Sequence, residues 1–168
     1  MLSIALVCPG QAFRIRYFNM KKALLLAGLL VAAFIGIADS WYLAESALSG
    51  TALACDVSIL SGCNAVAQSP YSRLFGIPYG IYGTGFYALV FICSAVVIAY
   101  PKRIAYFALY LLGVFGFLAS MLFVLIQAIL IKEFCVYCLI SAALATLIFA
   151  LARTLFVRFA PLKLAVVK

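Results

Sequence analysis

The sequence contains no histidine. That absence removes the usual neutral-pH general base and the commonest zinc ligand together. Charge is scarce too: 10% of residues are charged, and the acids are only Asp39, Glu45, Asp56 and Glu133. Hydrophobic residues make up 69% of the chain, far above the near-half apolar share of an ordinary soluble domain. A chain of 168 residues cannot hide that much apolar surface in one soluble core, so lipid must solvate much of it. The net charge of +8 does not indicate nucleic acid. Its lysines and arginines form no solvated patch with interleaved polar groups but sit as short clusters beside apolar runs.

Four apolar stretches approach or exceed the roughly 20 residues that a helix needs to cross a bilayer. They cover about residues 23–42, 77–100, 104–131 and 134–156. A barrel strand would be shorter and would alternate polar with apolar, so helices are expected. The fold class is all-α: a polytopic four-helix membrane bundle, with one long extracytoplasmic loop (about residues 43–76) between the first two spans.

Charge sets the orientation. With both termini and the second connection in the cytoplasm, that side holds Arg14, Arg16, Lys21, Lys22, Lys102, Arg103, Arg153, Arg158, Lys163 and Lys168. The other side keeps Arg73 and Lys132, and all four acids fall on or near it. The positive-inside rule therefore places the long loop and the Lys132–Glu133 turn outside. From Met20 the chain also reads as a secretory signal, with a basic start, an apolar run and small residues. Cleavage would leave an odd number of spans and invert the later charges, so an uncleaved first helix is expected. Residues 1–19 read as an extension upstream of a start at Met20, residues 20–158 as the membrane domain, and residues 159–168 as a basic cytoplasmic tail.

Six cysteines are present, and they are not equivalent. Cys55 and Cys63 lie in the long loop; Cys135 and Cys138 form a Cys-Val-Tyr-Cys motif where the fourth span begins. All four are expected on the oxidising side, where disulfides persist. At a helix start the first cysteine of such a motif sits near unpaired backbone N–H groups and the positive end of the helix dipole, which lowers its pKa. The second lies one turn deeper. The loop pair closes a small ring on a glycine-containing segment, read here as flexible enough to swing between a protein and the deep pair. Disulfides pass only by direct thiolate attack, so two pairs on one side suggest a relay. Two disulfides that merely staple a small domain are the plainer reading. A four-thiolate metal site fits less well, because such sites usually sit in solvated knuckles. Cys93, mid-span, reads as a small hydrophobe; Cys8 receives no role.

These residues resemble the vitamin K epoxide reductase family, including its bacterial and archaeal disulfide-forming members. The resemblance covers about residues 24–156. It is carried by Cys55-Asp56-Val57, Cys63, the segment Ser69-Pro70-Tyr71-Ser72-Arg73-Leu74-Phe75-Gly76-Ile77-Pro78, and Cys135-Val136-Tyr137-Cys138. It implies a four-helix bundle around a quinone pocket. By position, Cys138 would face the quinone, Cys135 would exchange with Cys63, and Cys55 would meet a thioredoxin-fold, DsbA-like thiol protein. Ser72, Phe75, Tyr137 and Asp39 are the candidate quinone-binding residues. The vertebrate members place an asparagine near Ser72 and a tyrosine where this chain has Ala142. Those differences argue for a respiratory quinone, ubiquinone or menaquinone, over a vitamin K epoxide. Many members carry a fused thioredoxin-like domain; this chain has no room for one, so a separate partner is expected.

The intervening segment fits the resemblance. Ser69 can cap a short helix with Pro70 at its first position, and Phe75-Gly76 can turn the chain toward Pro78. Phe75 reads equally as an interfacial anchor or as a pocket lid. Asp39, near the outer end of the first span, reads as a snorkelling acid or as a proton donor to the quinone. Gly80, Gly83, Gly85, Gly113 and Gly116 read as close-packing positions. Gln127 can bond a quinone carbonyl or another helix. Three functions follow in order: a disulfide-forming quinone reductase of the cell membrane, a thiol-driven vitamin K epoxide reductase, and a non-enzymatic scaffold with structural disulfides.

Overall fold

The computed structural model describes residues 9–55 and 62–160, with side chains from residue 19 onward. Cys8, the loop residues 56–61 and residues 161–168 of the expected tail lie outside the described residues. The first helix, α1 (Pro9–Ser49), is followed by a short helix α2 (Cys63–Gln68) and a single 3-10 turn, Pro70–Ser72. A two-strand hairpin, β1 (Arg73–Leu74) and β2 (Ile77–Pro78), leads into α3 (Tyr79–Ala99). Helix α4 (Arg103–Ile126) continues through a π turn, Gln127–Ile131, and α5 (Val136–Phe159) completes the bundle. Four of these helices are long and apolar enough to cross a membrane: Asn19–Ser49, Tyr79–Ala99, Arg103–Ile131 and Val136–Phe159.

Chain chemistry explains most of the boundaries. Helix α1 outruns its apolar stretch because Leu43-Ala44-Glu45 are good helix formers, so helix continues where hydropathy stops. Helix α3 starts two residues late because Ile77 and Pro78 pair with Leu74 and Arg73. Between the strands, Phe75 (φ 51) and Gly76 (φ 81) both take positive φ, the backbone that a two-residue hairpin loop requires. Ser69 stands at the N-cap position before Pro70, but its hydroxyl does not cap. It donates to the Val66 carbonyl at 2.8 Å and so closes the end of α2.

Helix α1 packs along α3 and α5, and α4 along α5, while α3 and α4 meet less extensively. The main core joins all four long helices through Leu29, Tyr87, Val90, Leu109, Ile148 and Leu155. Large apolar side chains such as Phe34, Phe115, Leu118 and Ile129 point outward and stay exposed, as lipid solvation requires. Glycines set how closely the helices approach. A Cβ on Gly80 would stand 2.5 Å from the Ala44 nitrogen, and one on Gly83 2.7 Å from Ser40 Oγ. On Gly113 it would stand 3.1 Å from Phe149 Cα, and on Gly116 it would strike the Phe86 ring. Gly85 differs from expectation: nothing lies within 4 Å of its Cβ position, so it is not a packing contact. Gly36, which the sequence did not single out, lies flat against Tyr87.

Candidate functional site

A second buried cluster occupies the loop end of the bundle and brings together Leu53, Cys55, Cys63, Val66 and Cys135. Cys55 and Cys63 form a disulfide with a Cα–Cα distance of 6.0 Å, whereas Cys135 and Cys138 are free thiols. Cys63 and Cys135 are 0% and 1% exposed, while Cys138 is partly buried.

The loop pair is held on several sides. Leu53 N–H donates to Asn64 Oδ1 at 2.9 Å, and Asn64 Nδ2 returns a bond to the Leu53 carbonyl at 3.4 Å. Ala54 N–H donates to the Tyr42 hydroxyl at 3.2 Å, and the Tyr137 hydroxyl donates to the Ala54 carbonyl at 2.8 Å. The two tyrosine rings lie 5.1 Å apart. Gly62, expected to loosen the ring, is instead a close approach: a Cβ there would stand 2.8 Å from Glu133 Oε2 and 3.0 Å from the Phe134 carbonyl.

The deep pair is built by the start of α5. Lys132 takes left-handed backbone (φ 60), and its N–H bonds the Gln127 carbonyl at 2.7 Å, ending α4. Cys135 then becomes the N-cap residue of α5 with extended backbone, and its Sγ accepts the Cys138 N–H at 3.4 Å. Hydrogen bonding from the Cys138 side chain holds the Cys135 thiol below the ordinary thiol range; burial opposes this, and backbone N–H groups of Cys138 and Tyr137 assist it. Gln127, 0% exposed, accepts the Cys135 N–H on its Oε1 at 3.0 Å. Of its two sequence readings, the bond to another helix is the one formed.

Where α3 and α4 separate toward the loop end, a cavity of about 1010 Å³ opens, backed by α1 and α5 and closed by α2. Its wall is mostly apolar and includes Cys63, Cys135 and Cys138. Polar groups are few. The Tyr87 hydroxyl donates to the Ser141 carbonyl at 2.7 Å and shares a 2.8 Å bond with Ser141 Oγ. An apolar cavity with a few polar groups and a reactive pair suits a flat, lipid-soluble ring. Among the described residues no group of three or more His, Cys, Asp or Glu is placed to hold a metal.

The candidate quinone-binding residues separate in space. Ser72 lies on the cavity wall, as do Gly85 and Ala142. Phe75 is 92% exposed at the hairpin tip and off the wall. Tyr137 also lies off the wall, engaged with the loop at Ala54. Asp39 is half-buried beside the wall residue Ser40, and its Oδ2 has no hydrogen-bond partner among the described residues. Sequence reading missed Tyr87, Ser141 and the Tyr42–Tyr137 pair. A mid-span tyrosine was the available signal, since a buried phenol needs a partner. Cys93 packs against the main core, away from the cysteine cluster.

Comparison with known proteins gives a match to the model of the vitamin K epoxide reductase family over residues 27–153. No curated protein matches the chain.

Proposed function

Because the chain belongs to the vitamin K epoxide reductase family, we propose that it is a disulfide-forming member, oxidising a thiol protein and reducing a membrane quinone. The family is one of oxidoreductases that in general use quinones, and the four apolar helices suggest a multi-pass membrane protein. The acceptor is ubiquinone or menaquinone, and the thiol substrate is a separate thioredoxin-fold, DsbA-like protein. By the positive-inside rule, both termini are cytoplasmic and the cysteine cluster faces outward across the cell membrane. Residues 20–158 are the membrane domain, 1–19 an upstream extension and 159–168 a cytoplasmic tail.

One observation supports this reading above the others: a loop disulfide and a free Cys-x-x-Cys pair share one cluster at the wall of a large apolar cavity. The proposed cycle starts with a partner thiolate attacking Cys55, so that the Cys55–Cys63 bond breaks and Cys63 leaves as a thiolate. The partner's second thiol then displaces Cys55, and the partner departs with its disulfide. Cys63 next attacks Cys135 of an oxidised Cys135–Cys138 pair, so that this bond breaks and Cys138 leaves as a thiolate; Cys55 then closes on Cys63, releasing Cys135. A thiol with lowered pKa leaves faster, which suits Cys135 to this step. The arrangement seen, loop oxidised and helix pair reduced, is the state that follows this transfer.

The cavity wall with Cys135 and Cys138 would hold the quinone, which would supply the final oxidation by accepting two electrons and two protons from the two thiols. Cys138 is its proposed contact, since it lies one turn deeper than Cys135. Ser141 Oγ lies on the wall, but with the Tyr87 hydroxyl donating to the Ser141 carbonyl its own proton goes to Tyr87, so it must release that bond to meet a ring carbonyl. Ser72 lies on the same wall with its hydroxyl donating to the Ser69 carbonyl at 2.8 Å, and it is proposed to exchange that bond for one to the quinone. Ser72 and Ala142 occupy the positions where vertebrate relatives carry amide and phenol groups, which favours a plain quinone over vitamin K epoxide. Asp39 is proposed to exchange protons near this site, and Tyr137 to hold the loop.

Turnover of the purified protein with a reduced thioredoxin-fold protein and ubiquinone or menaquinone tests the proposal. Quinol formation matching partner disulfide formation supports it. A protein that only reduces vitamin K epoxide at the expense of thiols, or that turns over neither substrate, contradicts it.

A further inference from the structure

We infer that Gln127 is a positioning residue: from α4 it supplies the acceptor missing from the capping box at the start of α5, and so orients Cys135. In a complete capping box the N-cap side chain accepts the N–H of the third helical residue. A glutamate or glutamine at that third position then returns a bond to the N-cap N–H. The first half is present here, made by Cys135 Sγ and the Cys138 N–H at 3.4 Å. The second half cannot come from Cys138, whose thiol carries no carbonyl. Gln127 Oε1 takes that place, accepting the buried Cys135 N–H at 3.0 Å.

The backbone makes this reach feasible. Gln127 opens the π turn, whose wider ring is closed by the Lys132 N–H on the Gln127 carbonyl at 2.7 Å. Lys132 at φ 60 then reverses the chain, so that Cys135 returns over Gln127. The composition of the site points the same way. Gln127 is 0% exposed, and its Nε2 has no hydrogen-bond partner among the described residues. A residue serving only to fill space would be leucine or methionine, because a stranded buried donor is costly. The amide is accounted for by the bond that its oxygen makes.

The titratable groups acting on Cys135 are Cys138 on α5 and Asp39 on α1, Tyr137 acting through its backbone N–H; Cys63, packed against it, is tied in the disulfide. Losing the Gln127 bond frees the N-cap residue to turn, and the hydrogen bonds that Cys135 Sγ receives then weaken. The consequence for turnover rests on the thiol–quinone reading above; the consequence for the thiol itself does not.

The test is alkylation by N-ethylmaleimide, small and apolar enough to enter the cavity, followed across pH and read at Cys135 by mass spectrometry. The full-length protein is used, with the loop pair oxidised and no quinone added. In Gln127→Leu and Gln127→Met, Cys135 should reach half-maximal reactivity at a pH about one higher and react about tenfold more slowly at neutral pH. Gln127→Glu keeps a side-chain oxygen for the Cys135 N–H, and its turnover with quinone should stay within about threefold of the parent, a loss far smaller than one tenfold step. An unchanged pH profile in whichever apolar variant folds overturns the inference. So does a folded Gln127→Glu that loses as much turnover as the apolar variants. A parent protein inactive with every quinone would instead count against the proposed function, while the alkylation profile would still decide the role of Gln127.

Discussion

Tyr137 ties the helix that carries the deep cysteine pair to the loop that carries the other. Its hydroxyl donates to the carbonyl of Ala54, the residue before Cys55, at 2.8 Å. Tyr42 accepts the N–H of the same residue, so Ala54 is gripped from both helices that flank it. This grip keeps the loop disulfide against Cys135 and restrains the swing that the loop composition suggests.

Tyr137→Phe removes one bond of that grip and retains the ring contact with Tyr42. A hydrogen bond worth about 0.5–1.5 kcal/mol net corresponds to roughly a two- to tenfold change. Reduction of the Cys55–Cys63 disulfide by dithiothreitol should speed up by that factor, while quinone oxidation of the Cys135–Cys138 pair stays unchanged. An unaltered reduction rate would remove Tyr137 from loop control.

Gly85 and Gly116 face the same cavity but should respond in opposite ways to a larger residue. Gly85→Leu adds a side chain into open space and replaces a poor helix former, so thermal stability should hold or rise. Its bulk narrows the cavity, and the KM for a short-chain quinone should rise by about tenfold, the scale set by 1–3 kcal/mol in an apolar pocket. Gly116→Leu must displace Phe86 and should lower stability by about 1–3 kcal/mol. A Gly85→Leu protein that melts early with unchanged KM would contradict this use of the cavity.

The four membrane helices and the Cys-x-x-Cys at a helix start were legible because hydropathy and spacing are local signals. Phe75-Gly76 was likewise legible as a turn, since positive φ there follows from hairpin geometry. Long-range contacts were not. Nothing in the run from Ile126 to Phe134 shows that Gln127 folds back onto the Cys135 N–H, because a π turn and a left-handed lysine create that contact. Gly85 and Gly83 look alike in sequence, yet one meets open space and the other meets Ser40, a difference set by helix rotation and splay. Tyr137 reads as a pocket residue by its place in the motif. Its bond to the Ala54 carbonyl, set by the three-dimensional turn of α5, is not visible in that motif.

The proposed orientation rests on ten basic residues on one side, from Arg14 to Lys168, against Arg73 and Lys132 on the other. Reporter fusions after Arg103 and after Val157 should be cytoplasmic, and one near Ser61 should be external. An external reporter at Arg103 would reverse the orientation and place the cysteines on the reducing side.

In the proposed cycle, electrons leave the protein at Cys138, through the apolar cavity, to a quinone. Cys138 lies about 4.5 Å further along the helix axis than Cys135, at roughly 1.5 Å per residue. Both line the cavity, but Cys135 also belongs to the buried cluster with Cys55 and Cys63. The most direct measurement is the visible absorption of purified Cys135→Ser and Cys138→Ser proteins on addition of quinone. A thiolate–quinone charge-transfer band is expected in Cys135→Ser, where Cys138 remains as a lone thiol at the cavity, and none in Cys138→Ser. A band in Cys138→Ser alone would exchange the roles of the two cysteines, and a band in neither would contradict direct transfer from this pair to a quinone.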